Sequence, residues 1–306
     1  MKRQSKKPRL KLSTTWPMHL LLLPGVLIVL IFNYIPMVGI SIAFQNFKPT
    51  KGFFGSKFVG LKHFKTLFTL PQFNQVVFNT LFISILKIVS VLLFATLFAL
   101  LLNELRKKIV KVSVQSFVLF PFFVSWVIMS SIIKDLLYKQ GAINEFLTLL
   151  GVVDDPIFFM GNKGWFLAIL IITNLWKEFG YNSIIIAAAL TNIDKSLYEA
   201  AYIDGANRWK QTLYITLPGI TPILVMLMVL SLGNILNAGF DQIYNLYNSL
   251  VLNVSDIIDT YVYRVGVLQG QYSLASAAGI FKSLVGIILL TVSYRLAYKY
   301  TDYRIF

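Results

Sequence analysis

Residues 199–218 read EAAYIDGANRWKQTLYITLP, a polar, charge-bearing stretch set between runs too apolar to be anything but membrane helices. Upstream lies IIIAAAL (184–190), and downstream lies GITPILVMLMVL (219–230). A connector this ordered in sequence, held between two spans, reads as a docking surface. The rest of the chain fits that frame. Its 306 residues are 57% hydrophobic and only 13% charged, with a mean hydropathy of +0.70, far outside the range of a soluble domain.

About 20 consecutive apolar residues are needed per crossing. That requirement predicts an all-α polytopic membrane protein with six transmembrane helices, at about 18–44, 75–102, 114–136, 165–190, 219–240 and 273–298. Residues 1–17 form a basic tail, and 18–306 a single transmembrane domain with a cytoplasmic segment at about 191–218. The first apolar run follows MKRQSKKPRLKL, as a secretory leader would, but it is too long and ends in no small-residue cleavage site. It is read as a retained span.

Lysine and arginine placement sets the expected orientation. One side carries the tail (Lys2, Arg3, Lys6, Lys7, Arg9, Lys11), then Arg106, Lys107, Lys108 and Lys111, then Lys195, Arg208 and Lys210, and finally Arg295, Lys299 and Arg304. The opposite side has fewer, five of them (Lys48, Lys51, Lys57, Lys62, Lys65) in the first outer loop. Both termini and the 199–218 segment are therefore expected in the cytoplasm. The formal charge of +15 is scattered along helix ends and forms no single face, which argues for membrane topology and against nucleic acid.

Several chemistries are excluded. There is no cysteine, and His19 and His63 are the only histidines, so thiolate chemistry and multi-histidine metal sites are absent. No G-x-x-x-x-G-K-[ST] loop is present, so the chain does not itself hydrolyse ATP, and no nucleophile with a base is evident.

Within the connector, Ser196 and Glu199 have the S-x-x-E spacing of a capping box. Asp204-Gly205 then breaks the chain. A second helical stretch, ANRWKQTLYIT, precedes Pro218 and Pro222 at the start of the next span. The expectation is a helix-turn-helix elbow at the inner membrane face; the alternative is an amphipathic connector resting on headgroups. Arg208 and Lys210 are placed to pair with acidic residues of a partner or to lie against anionic lipid.

Polar residues inside spans are the candidates for a transport path. In the fourth span Asn174, Lys177, Glu178, Tyr181 and Asn182 share one helical face. In the fifth, Ser231, Asn234, Asn237 and Asp241 do the same. Their amides and carboxylates suit sugar hydroxyls, and Trp176 or Tyr181 suits a sugar face; the competing reading is interhelical hydrogen bonding without substrate contact. Lys87 and Lys282 are expected to pair with carboxylates of a partner subunit.

Glu199-Ala200-Ala201, Asp204-Gly205-Ala206, and Ile215, Leu217 and Pro218 together resemble the EAA loop of binding-protein-dependent ABC importer permeases. Leu175-Trp176, Gly180-Tyr181, Ala187 to Leu190, Val59-Gly60-Leu61, Phe64 and Asn79-Thr80 are similar to the carbohydrate branch of the type I permeases. Asn182 to Ile185, Gly239-Phe240, Asp259 to Arg264 and Gly279 to Ser283 resemble its polysaccharide or lipoprotein subgroup.

The resemblance implies the type I ABC importer permease fold in a bacterial cell membrane. It also implies a second, similar permease subunit, two cytoplasmic ATPase subunits that hold ATP and Mg, an extracytoplasmic solute-binding protein and a carbohydrate cargo. This chain would bind no cofactor. Glu199, Ala200, Ala201, Asp204, Gly205, Ala206 and Arg208 would contact the ATPase. Two other classes stay open on the residues alone: an ion-coupled secondary transporter using Lys177, Glu178 and Asp241, or a membrane scaffold without transport.

Overall fold

A computed structural model describes residues 12–301. The basic residues Lys2 to Lys11 and Arg304 lie outside the described residues. Helix α1 (Leu12–Val29) runs through a π-helical turn (Leu30–Tyr34) into a 3-10 segment (Ile35–Phe44). Together Trp16–Phe44 form one apolar span.

A small module follows the first span, with β1 (Gln45–Asn46) antiparallel to β2 (Lys57–Phe58), Gln45 facing Phe58. The four-residue α2 (Gly52–Gly55) lies between the two strands, and α3 (Lys62–Thr69) comes after them. Ser273 ties this module to the last span, donating to Gln45 O at 2.7 Å and accepting from Phe47 N at 3.0 Å.

Helix α4 (Pro71–Glu104) has 34 residues, about 51 Å at about 1.5 Å each, so it overshoots the hydrocarbon core at both ends. It packs along α8 (Lys163–Leu190). Ala95 and Ala99 meet Ile186 and Leu190 there, small residues letting two backbones come close without a hydrophobic driving force. At Gly180 a Cβ would stand 2.5 Å from Val118 O, so glycine is what lets the next helix lie against α8.

The third predicted span, 114–136, is not one helix. It is α5 (Lys108–Phe123) and α6 (Trp126–Leu137), and α5 stands at 98° to the Trp126–Leu149 stretch that α6 begins and α7 (Ala142–Leu149) completes. Pro121 cannot donate to the ladder, Val124 is extended, and Ser125 starts α6 by accepting from Ile128 N.

The connector contributes α9 (Lys195–Ile203) and α10 (Arg208–Gln211). The fifth span is also redrawn. From α10 the chain continues through a π-helical turn (Thr212–Thr216) into α11 (Leu217–Gly233), so Arg208–Gly233 is one span. Pro218 and Pro222 sit inside this rod and do not begin it: Pro218 follows the π-helical turn as the second residue of α11, and Pro222 lies within that helix. The predicted end at residue 240 is replaced by an unwound stretch, 234–239, before α12 (Phe240–Leu246). After α13 (Leu252–Ser255) and α14 (Ile258–Val262), α15 (Tyr272–Thr301) is the last span.

Among the described residues four helices are long and apolar enough to cross, and the bent α5–α6 pair makes a fifth. Helix α8 is long enough, at 28 residues, but its polar face lowers its hydropathy; with it there are six crossings. Large apolar side chains cover the outside of the bundle, Leu21 and Phe117 among them, as lipid contact requires. The interior is packed by Ile83, Phe166, Leu170 and Ile243, and beyond them by Phe73, Tyr261 and Ala278.

Candidate functional site

Two surfaces stand out, a polar cavity in the bundle and the elbow. The cavity holds about 320 Å3. Ser84, Lys87 and Val91 of α4 form one wall; Asn174, Glu178 and Asn182 of α8 form another. Ser231, Asn234 and Asn237 come from the end of α11 and the unwound stretch, and Trp126 from the start of α6. The polar stripes of the fourth and fifth spans thus meet across one space, at the middle of α4 and α8.

The amides are only partly engaged. Asn182 donates to its own helix at Glu178 O (3.0 Å), and Asn237 to Asn234 Oδ1 (3.2 Å); the acceptor oxygen of Asn182 is unengaged among the described residues. The Glu178 carboxylate makes no hydrogen bond or ion pair among the described residues, although Lys87 and Lys177 are near enough to act on its charge.

Trp176, Lys177, Tyr181 and Asp241 do not line the cavity. Tyr181 stacks on Phe122 with ring centres 4.4 Å apart, Trp176 is half exposed, and Asp241 is exposed at the start of α12. Lys177 is 7% exposed and donates to the carbonyls of Pro121 (3.2 Å), Phe122 (2.7 Å) and Val124 (2.5 Å). A cation at the C-terminal end of α5 satisfies the Phe122 and Val124 carbonyls and shares Pro121 O with Val124 N, at a helix end that favours positive charge. Its work is on the bend, which the face-sharing pattern of the sequence does not reveal.

The lysines expected to reach a partner subunit are satisfied within the chain. Lys282 Nζ lies 2.5 Å from Asp259 Oδ1. Lys87 Nζ donates to Ala238 O at 2.7 Å and to Gln242 Oε1. The helix ends opposite the elbow are laced similarly: Asn79 donates to Asn253 O and Asp256 O, Thr80 accepts from Ile258 N, and Arg264 pairs with Asp256.

The elbow forms at the far ends of the same helices. The chain does start helix α9 near Ser196, but the cap is Asp194, which accepts from Ser196 N at 2.9 Å; the Ser196–Glu199 box does not form. An aspartate one residue before the helix satisfies the first free N–H groups and favours the positive helix end. That bond from Ser196 N holds the Asp194 carboxyl below the usual carboxylate range.

At the other end of α9, Gly205 takes φ +76°, where L side chains are strained. Gly205 N bonds Tyr202 O at 3.1 Å and Ala206 N bonds Ala201 O at 2.8 Å, the paired bonds of a Schellman stop. Asn207 then caps α10, accepting from Lys210 N. The turn is braced by Gln211, which donates to Ala206 O, and by the contact of Tyr198 with Thr216. Glu199, Ala200, Asp204 and Arg208 are exposed, and Ala201 and Ala206 half-buried. Arg208 stands 3.8 Å from Glu104, the last residue of α4. Tyr202, Ile203 and Trp209 project apolar surface uncovered by the rest of the chain.

A helical bundle with a polar cavity amid its spans, and a rigid, exposed elbow at one end, defines a membrane transport subunit driven from outside its own chain. The chain belongs to the family of binding-protein-dependent transport system inner membrane components, whose model matches residues 91–303. It is 42% identical to the polygalacturonan/rhamnogalacturonan transport system permease protein YteP of Bacillus subtilis strain 168, over 100% of this chain and 95% of that one. It is 40% identical to the protein LplB of the same organism, over 94% and 91%.

Among solved structures, a bacterial ABC transporter involved in the import of the acidic polysaccharide alginate superposes with a TM-score of 0.87 at 36% identity, covering 95% of this chain and 98% of the other. The bacterial alginate transporter in complex with an alginate pentasaccharide-bound periplasmic protein gives 0.88 at 35%, over 96% and 98%. The chain is thus a multi-pass cell-membrane permease subunit of an ABC importer with the type I fold, working with a binding protein. It is not an enzyme, and the ion-coupled and scaffold readings have no support.

Proposed function

We propose that this subunit carries a carbohydrate, an oligosaccharide or polysaccharide fragment, through the cavity between α4, α8 and the fifth span. The observation that carries the reading is the lining: four side-chain amides and hydroxyls from α8 and the fifth span (Asn174, Asn182, Asn234, Ser231) around Trp126. An amide offers both donor and acceptor, which matches hydroxyls that are both, and an aromatic face suits the apolar face of a sugar ring. The named activities of the relatives, on polygalacturonan/rhamnogalacturonan and on alginate, support the same class.

The elbow is the point where energy enters. Glu199, Ala200, Ala201, Asp204, Gly205, Ala206 and Arg208 contact a cytoplasmic ATPase subunit, with Ile203 and Trp209 adding apolar anchorage. From Glu178 to the end of α8 is twelve residues, about 18 Å at about 1.5 Å each, so movement of the elbow reaches the cavity through two rigid helices. Two ATPase subunits hold ATP and Mg; this chain holds no cofactor. Both termini and the elbow face the cytoplasm, as the lysine and arginine bias supports.

A second, similar permease completes the cavity, which one chain leaves open. An extracytoplasmic binding protein delivers the sugar to the outer loops. ATP binding then closes the ATPases and opens the cavity outward, and hydrolysis returns it to face inward. Purification of the intact complex, identification of its subunits and measurement of its ATPase across a panel of binding-protein-loaded oligosaccharides tests this reading. Stimulation by at least one oligosaccharide is expected, and no response to any carbohydrate contradicts it.

A further inference from the structure

The fifth span breaks where it meets the cavity. Between Gly233 and Phe240 the helix is lost, Gly239 takes φ +97°, and backbone groups stand without helical partners at membrane depth. We propose that Lys87 and Gln242 form a clasp that fixes this unwound wall, and that they thereby set how tightly the subunit holds its cargo. The identity of the cargo rests on the functional reading above; the clasp itself rests on geometry.

Lys87 is 6% exposed and Gln242 0%. The ammonium donates to Ala238 O at 2.7 Å, the carbonyl just before the left-handed glycine, and to Gln242 Oε1. Gln242 passes the link on, its Nε2 donating to Leu170 O and Thr173 Oγ1, both at 2.8 Å. One lysine and one glutamine thus join α4, the unwound stretch, α12 and α8. A Cβ on Gly239 would lie 2.9 Å from Lys87 Nζ, so the glycine leaves the ammonium room beside the left-handed turn.

A lysine in a span is costly, and Lys87 has no carboxylate within ion-pair distance among the described residues. Packing alone would be served by an apolar residue of similar volume. What an apolar residue cannot do is hold Ala238 O, and with it the neighbouring Asn237 and Asn234, in one arrangement at the cavity. Gln242 acts through those asparagines and is a positioning residue, while Lys87, itself in the cavity wall, holds Ala238 O beside them.

The test uses the complete complex in lipid vesicles, with Lys87→Met, Lys87→Arg and Gln242→Leu. Lys87→Met is expected to raise the half-saturating concentration of oligosaccharide-loaded binding protein about tenfold, the loss of a hydrogen bond to a charged group, with a smaller change in maximal rate. Lys87→Arg, which can still donate to both oxygens, is expected to stay near wild type. A second readout needs no sugar. The chain has no cysteine, so a nitroxide on Asn237→Cys reports on the unwound wall alone in a complex whose partners are cysteine-free. Its spectrum should narrow with Lys87→Met and recover with Lys87→Arg.

An assembled Lys87→Met complex with unchanged half-saturation and an unchanged spectrum overturns the clasp. If that variant does not assemble, Gln242→Leu is judged by the same two criteria. A wild-type complex deaf to every oligosaccharide would instead sink the functional reading, and the nitroxide spectrum would then decide the clasp.

Discussion

The Tyr198 hydroxyl lies 2.9 Å from Thr216 Oγ1, joining the first helix of the elbow to the base of the fifth span across 18 residues of chain. A push on α9 is thereby delivered to α11, whose other end borders the cavity. Tyr198→Phe removes this bond and little else. It is expected to weaken the link by about 1 kcal/mol and to lower the sugar imported per ATP hydrolysed. Uptake and phosphate release measured in the same vesicles check this; an unchanged ratio would count against the link.

Gly205 offers a graded test of the elbow. A Cβ there would touch nothing within 4 Å, so a substitution acts through backbone strain at φ +76° alone. Asn, which tolerates the left-handed region, should cost least, Ala about 1 kcal/mol, and Val somewhat more. ATPase coupling should fall in that order while the protein still reaches the membrane. Equal coupling in all three variants would show that the turn is not what the ATPase reads.

Lys177→Met leaves the Phe122 and Val124 carbonyls at the bend between α5 and α6 without their lysine donor, and Pro121 O with Val124 N alone. The expected destabilisation is about 2–4 kcal/mol. It would be seen as a fall of several degrees in the thermal midpoint of the detergent-solubilised protein. A midpoint within error of wild type would show that the bend is held by packing alone.

The two lysine or arginine pairs with opposite exposure should behave differently. Lys282–Asp259, at 2.5 Å and about a fifth exposed, should show a coupling energy of about 1–3 kcal/mol in a double-mutant cycle, between the surface and buried limits. Arg208–Glu104, at 3.8 Å and well exposed, should show under about 0.5 kcal/mol. A large Arg208–Glu104 coupling in the isolated subunit would mean that the pair shapes the elbow.

Hydropathy made the spans legible because lipid demands long apolar helices, and the α8 stripe was legible because 3.6-residue periodicity put Asn174, Glu178 and Asn182 on one face. The breaks were not. Pro121 sits in apolar sequence that gives no sign of a 98° bend, and Gly233 and Gly239 suit a fifth span that bends without saying where it unwinds. The same periodicity that turns Asn174 toward the cavity would turn Lys177 there too, because it fixes a direction around a helix but not what a long flexible side chain reaches. Lys87 and Gln242 are 155 residues apart, a pairing only the folded chain displays. In the elbow, Gly205 announced the turn, whereas Asp194 won the cap from Ser196 because the helix begins two residues earlier.

The central claim is that the cavity between α4, α8 and the fifth span holds carbohydrate while ATP is hydrolysed elsewhere. Its most direct test is the ATPase rate of the reconstituted complex as oligosaccharide-loaded binding protein is titrated, in wild type and in Asn182→Leu. The account predicts saturable stimulation by sugar, with the Asn182→Leu curve shifted to higher concentration. Stimulation that is identical in the two proteins, or absent with every oligosaccharide, would contradict it.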